Sequence, residues 1–151
     1  PGSFLLHSSR MATNDTTSEM CRRRLRGTIT NSTTLTFDRG CIGADVQDIS
    51  WEAVRLPPNA TVQTAQAQLN ANATTTPVFT GQAVDLTRSF AFVGGQGPGG
   101  SATGRTDFQT TDRIGASLVR TVLVSSTQIN FVRTSSSGTS AWVGYLVEIT
   151  P

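Results

Sequence analysis

Two blocks of this chain repeat one another. Residues 25–39 (LRGTITNSTTLTFDR) and 119–133 (VRTVLVSSTQINFVR) align without a gap at a spacing of 94. Arg26 falls on Arg120, Ile29 on Leu123, Leu35 on Ile129, Phe37 on Phe131 and Arg39 on Arg133. The flanks follow suit: SFLL (3–6) precedes the first block and SFAF (89–92) the second, while ISWEAVRLPP and WVGYLVEITP follow them. A fixed spacing with apolar positions in phase marks a repeated supersecondary unit, so whatever one block folds into, the other must also accommodate.

The period within each block is two. Leu25, Gly27 and Ile29 alternate with Arg24, Arg26 and Thr28, and Leu35 and Phe37 alternate with Thr34, Thr36 and Asp38. That alternation predicts a β-hairpin with one buried face and a turn near Asn31-Ser32. Further strands are expected over 3–9, 49–56, 77–84, 88–93 and 141–149, and a second hairpin over 118–133. VQTAQAQL (62–69) reads as a strand in these surroundings, with a short helix as the other reading. Pro57-Pro58 ends the strand before it, since proline donates nothing to a ladder. Ser and Thr together make up about a quarter of the residues and charged side chains 15%, a profile suited to half-buried pleated surfaces. The expected fold class is all-β, an antiparallel β-sandwich built as two tandem related units.

The units divide at residues 1–58 and 59–151. Two candidate strands, 62–69 and 77–84, stand before the second copy, and the first copy has no counterpart of them ahead of its SFLL strand. Two readings stand. Either the first copy has an unpaired edge that a strand of a neighbouring subunit, or a missing N-terminal region, completes, or both copies share the extra strands in one fused sandwich. The abrupt start at Pro1-Gly2-Ser3 reads as a processed or truncated form.

Little in the chain suggests a reaction. Its one histidine, His7, has no nucleophile elbow or carboxylate placed beside it by any motif. Gly95 to Gly100 matches G-x-G-x-x-G, yet Pro98 interrupts it and no helix pattern follows; with no lysine in the chain a P-loop is excluded. Two cysteines and one histidine do not make a tetrahedral metal set. The expectation is a protein without catalysis, cofactor or metal. A net charge of +2 implies no specific nucleic-acid partner, and no apolar run reaches the ~18 residues of a membrane span.

Three features remain as candidates. Cys21 and Cys41 stand nearly opposite one another at the open end of the first hairpin. A disulfide there closes a loop of about 20 residues, constrains the unfolded chain by ~3 kcal/mol and implies an oxidising compartment; two buried thiols are the other reading. Arg22, Arg24 and Arg26 project from one strand face, suited to gripping anions or a neighbour's carboxylates, or to a solvated edge paired with Asp38, Asp48 and Glu52. Trp51, Trp142 and Tyr145 are candidates for a sugar platform, set against a core role. Asn14, Asn31, Asn59 and Asn72 each head an N-x-[ST] sequon.

The order Arg24-Leu25-Arg26, Thr33-Thr34-Leu35-Thr36-Phe37-Asp38-Arg39, then Trp51-Glu52-Ala53-Val54 resembles a degenerate repeat, RxxLTSxTTLTFxR followed by WxVxE, of bacteriophage virion proteins and secreted bacterial surface proteins. Val119-Arg120, Ile129-Asn130-Phe131-Val132-Arg133 and Tyr145-Leu146-Val147-Glu148 carry it in the second copy. More distantly the chain resembles the six-stranded sandwich of H-type lectins. The first resemblance implies a structural subunit that binds copies of itself in a virion, fibre or extracellular filament. The second implies an oligomeric adhesion module for surface glycans. Both imply a place in a virion, at a cell surface or outside the cell.

Overall fold

The structure, a computed structural model, describes residues 2–11, 25–39, 47–70, 72–95, 118–136 and 139–151. These hold ten strands and no helix: β1 (Ser3–Met11), β2 (Leu25–Asn31), β3 (Thr34–Arg39), β4 (Gln47–Arg55), β5 (Ala60–Leu69), β6 (Thr75–Phe79), β7 (Ser89–Gly95), β8 (Arg120–Ser125), β9 (Gln128–Val132) and β10 (Ser140–Ile149). All pairings are antiparallel. They form four sheets, β1-β4, β2-β3, β5-β10-β7 and β6-β9-β8, so the protein is all-β as its period predicts.

The two repeated blocks take the same register. In the first hairpin Arg26 faces Asp38, Gly27 faces Phe37 and Ile29 faces Leu35, with a bulge between Ile29 and Asn31. In the second Arg120 faces Val132, Thr121 faces Phe131 and Leu123 faces Ile129, with a bulge between Leu123 and Ser125. Each pair and each bulge is displaced by the same spacing as the sequences. The flanking strands agree as well: Ser3 faces Arg55 in β1-β4, and Ser89, the first residue of the other SFxx segment, faces Glu148 in β7-β10. The first turn falls at Ser32-Thr33, one residue later than the sequence suggests, because the bulge displaces it and Asn31 Oδ1 accepts the Thr33 N–H at 2.9 Å.

The strands ahead of the second copy add to its edges. β5 runs antiparallel along the whole of β10, from Ser140↔Leu69 to Ile149↔Ala60, and β6 lies along β9. VQTAQAQL is therefore strand and not helix. The strand expected over 77–84 ends at Phe79, where bonds from Thr80 N to Thr127 O and from Val84 N to Ser126 O hook the chain onto the β8–β9 turn. Val84 leaves the ladder but stays in the core, 7% exposed.

β10 lies between two cores. Trp142 and Leu146 point to one side, where they meet Ala65, Leu69, Val84, Ile129 and Phe131. Val143, Tyr145 and Val147 point to the other, where Phe4 and Leu5 of β1 cover them, flanked by Ile29, Phe37, Val54 and Phe92. No described hydrogen-bonded ladder joins β1–β4 to β5–β10, so side-chain packing holds the first half against the second. Phe131 is fully buried; burial of a side chain this size contributes ~1.5–3 kcal/mol.

Candidate functional site

Cys21, Cys41, Arg22 and Arg24 lie outside the described residues. Arg26 is placed, and the register that sets it opposite Asp38 joins the two: Nη2 donates to Asp38 Oδ2 at 2.9 Å and Nε to the same oxygen at 3.2 Å. The ion pair is only partly exposed, at 24% and 32%. Arg26 is thus bound to its own hairpin.

The aromatic candidates separate. Trp142 and Tyr145 are each 2% exposed and sit on opposite faces of β10. The Trp142 indole N–H donates to Ser140 Oγ at 2.6 Å. Tyr145 stacks obliquely on Phe92, with ring centroids 5.2 Å apart. Its hydroxyl is buried beside the Leu5 backbone, and burial pushes its pKa up by more than that polar contact lowers it. Neither ring offers a face to a sugar. Trp51 is different, at 56% exposure on β4. Among the sequon asparagines, Asn59 already donates its Nδ2 to Thr150 O at 2.7 Å.

One residue that the sequence did not single out organises the second half. Arg133 is 3% exposed, and its Nε and Nη2 donate to Ala73 O at 2.8 Å and Asn70 O at 2.7 Å, while its backbone N–H bonds Thr74 O at 2.9 Å. Burial lowers its pKa. The guanidinium pins the β5–β6 connection onto the end of β9. Its signal was its place in the repeat, opposite Arg39 in the alignment.

A cavity of about 460 Å³ lies between the halves, lined by Leu5, His7, Phe92, Val93 and Trp142 among others. Among the described lining residues His7 is the titratable one, and it is committed: Nε2 accepts the Gly27 N–H at 3.1 Å and the ring stands edge-on to Phe37. Burial lowers the His7 pKa, which keeps the acceptor nitrogen unprotonated. Among the described residues no group of three or more His, Cys, Asp or Glu side chains is placed to hold a metal ion, and no helix is long and apolar enough to cross a membrane.

The most distinctive surface is the open side of the first half. β9 and β10 have a strand on both edges, whereas their counterparts β3 and β4 have a described partner on one edge each. β4 is exposed on both faces at its centre, through Ser50, Trp51, Glu52 and Ala53. Unpaired edges of this kind present backbone donors and acceptors to any strand that approaches. No protein-family model, curated protein or solved structure matches the chain.

Proposed function

We propose that the chain is a non-enzymatic structural subunit that assembles with copies of itself through the open β edges of its first half, within a virion, fibre or extracellular filament. One observation carries this reading. The first hairpin and its β1-β4 pair keep the registers of the second half, yet the two strands that close the second half have no described counterpart in the first. β-Strand addition supplies main-chain hydrogen bonds at such an edge without needing a binding pocket. With Arg26 held by Asp38, the arginine contribution to assembly falls on Arg22 and Arg24. Light scattering across a concentration series, with electron microscopy of the concentrated protein, tests the proposal. Growth in mass with concentration, or regular polymers, is the expected result. A monomer at every concentration overturns it.

A further inference from the structure

Among the described residues β4 has a partner strand, β1, on one edge only. Leu56 N donates to Gly2 O at 3.0 Å, and the β1-β4 register continues from there without a bulge, Ser3↔Arg55 to Met11↔Gln47. In an antiparallel ladder, hydrogen-bonded and non-bonded pairs alternate. Gly2–Leu56 is a bonded pair, so Val54, Glu52, Ser50 and Asp48 spend their backbone groups on β1. The N–H and C=O groups of Ile49, Trp51 and Ala53 therefore point the other way, to the open edge.

We propose that two copies of the chain join antiparallel, β4 to β4, about a two-fold axis at Trp51, making one continuous β1-β4-β4-β1 sheet. This rests on the assembly reading above and names its contact. The central position matters because β4 has nine residues, and the Trp51-centred register is the one in which all nine overlap. Each Trp51 then faces its symmetry mate as a bonded pair, and Ile49 faces Ala53 of the other copy. Both are outward-pointing positions, as a bonded ladder requires.

Charge fixes the register. With Trp51 on Trp51, Glu52 faces Ser50, Asp48 faces Val54 and Arg55 faces Gln47, so no like charges stand directly opposite one another. A slip of two residues one way sets Glu52 opposite Asp48; a slip of two the other way sets Glu52 opposite Glu52. Like charges directly opposed destabilise a strand pair. Slips of one residue exchange the faces of the strand and are excluded by the symmetry. The apolar content agrees: Trp51, at 56% exposure, gains a cross-strand aromatic partner. β10 gives the internal precedent, since β5 covers the corresponding edge along its full length.

The parity of β4 provides the test. Ala53→Pro removes an outward N–H while leaving the Glu52 and Val54 bonds to β1, and proline is tolerated on edge strands. Sedimentation velocity of the full chain should show twice the chain mass, with Ala53→Pro and Trp51→Lys at least tenfold weaker in self-association and unchanged in circular dichroism. Independently, Trp51→Cys in a chain with Cys21→Ser and Cys41→Ser should oxidise to a covalent dimer, because bonded pairs hold Cα atoms ~5.5 Å apart, within disulfide reach; Glu52→Cys should not. Failure of Trp51→Cys to cross-link, or cross-linking equal to that of Glu52→Cys, overturns the register. Assembly that persists unweakened in folded Ala53→Pro overturns this contact while leaving the broader assembly reading standing. A wild-type monomer at all concentrations overturns both.

Discussion

Gly144 lies directly beneath the ring of Phe131: a Cβ built at Gly144 would stand 2.6 Å from Phe131 Cε1. In the first half the corresponding ring, Phe37, also rests on a glycine, but Gly27 of the neighbouring β2 supplies it, with Phe37 Cε1 2.9 Å from the missing Cβ. The repeat preserves a large ring over a bare backbone and changes the strand that provides the gap. Gly144→Ala should therefore destabilise the fold by ~1–3 kcal/mol through overpacking, read as a lower thermal midpoint. A midpoint within error of wild type would show that the ring can move aside.

The Tyr145 hydroxyl is buried with no more than a weak contact to the Leu5 backbone, so removing the oxygen takes away a desolvated polar group and little bonding. Tyr145→Phe should leave stability unchanged or raise it by up to ~1 kcal/mol. The sign at high pH follows from the raised pKa of the phenol. The group costs the fold nothing through ionisation below the unfolded value near 10, and stability falls as pH rises beyond it because the unfolded chain ionises first. Alkaline melts of the wild type should fall off in that range and those of Tyr145→Phe should fall off less.

Arg133 serves the carbonyls of Ala73 and Asn70 from a buried position. Arg133→Ala leaves both without their donors, a loss of ~3 kcal/mol or more, since charge-assisted bonds and stranded acceptors both weigh against the variant. Native-state hydrogen exchange should show β6 opening first.

His7 makes the contact between β1 and β2 sensitive to acid. Its pKa is lowered by burial, so between that value and the ordinary 6.5 the unfolded chain binds a proton that the folded chain does not. Stability is therefore fully present above pH ~6.5 and declines as pH falls below it, by at most ~1.4 kcal/mol per pH unit. Chemical denaturation of His7→Gln at a series of pH values should lose this slope, because the amide keeps an acceptor for Gly27 without titrating.

Much of this architecture was legible in the residues, and the limits have physical causes. The repeat, the alternation of Leu25, Gly27 and Ile29, and the strand nature of VQTAQAQL are local properties, and period two encodes them directly. The burial of Trp142 and Tyr145 is not local. AWVGYLVEI reads as a strand, but its run without polar alternation comes from cores on both faces, and the second is supplied by β1 and the first hairpin, far away in sequence. Arg133 was visible as a repeated position, but its role depends on where the β5–β6 connection lands. Val84 reached the core from outside a ladder, a placement that alternation does not describe. The missing strands left two readings, an unpaired edge in the first copy or a fused sandwich; which backbone groups of β4 face away from β1 needed the register.

The central place of β10 bears on how the chain acquires its structure. β10 joins β5, about eighty residues upstream, and covers the first half as well, yet every other described strand precedes it. During synthesis β1 to β9 emerge before the strand that fills both cores, so hairpins can form early while consolidation waits for residues 140–149. Such long-range closure slows folding and prolongs the exposure of sticky intermediates. For a chain whose β4 has a described partner on one edge only, the ribosome-bound interval is when pairing with the wrong neighbour is easiest, and crowding among nascent chains adds to that hazard.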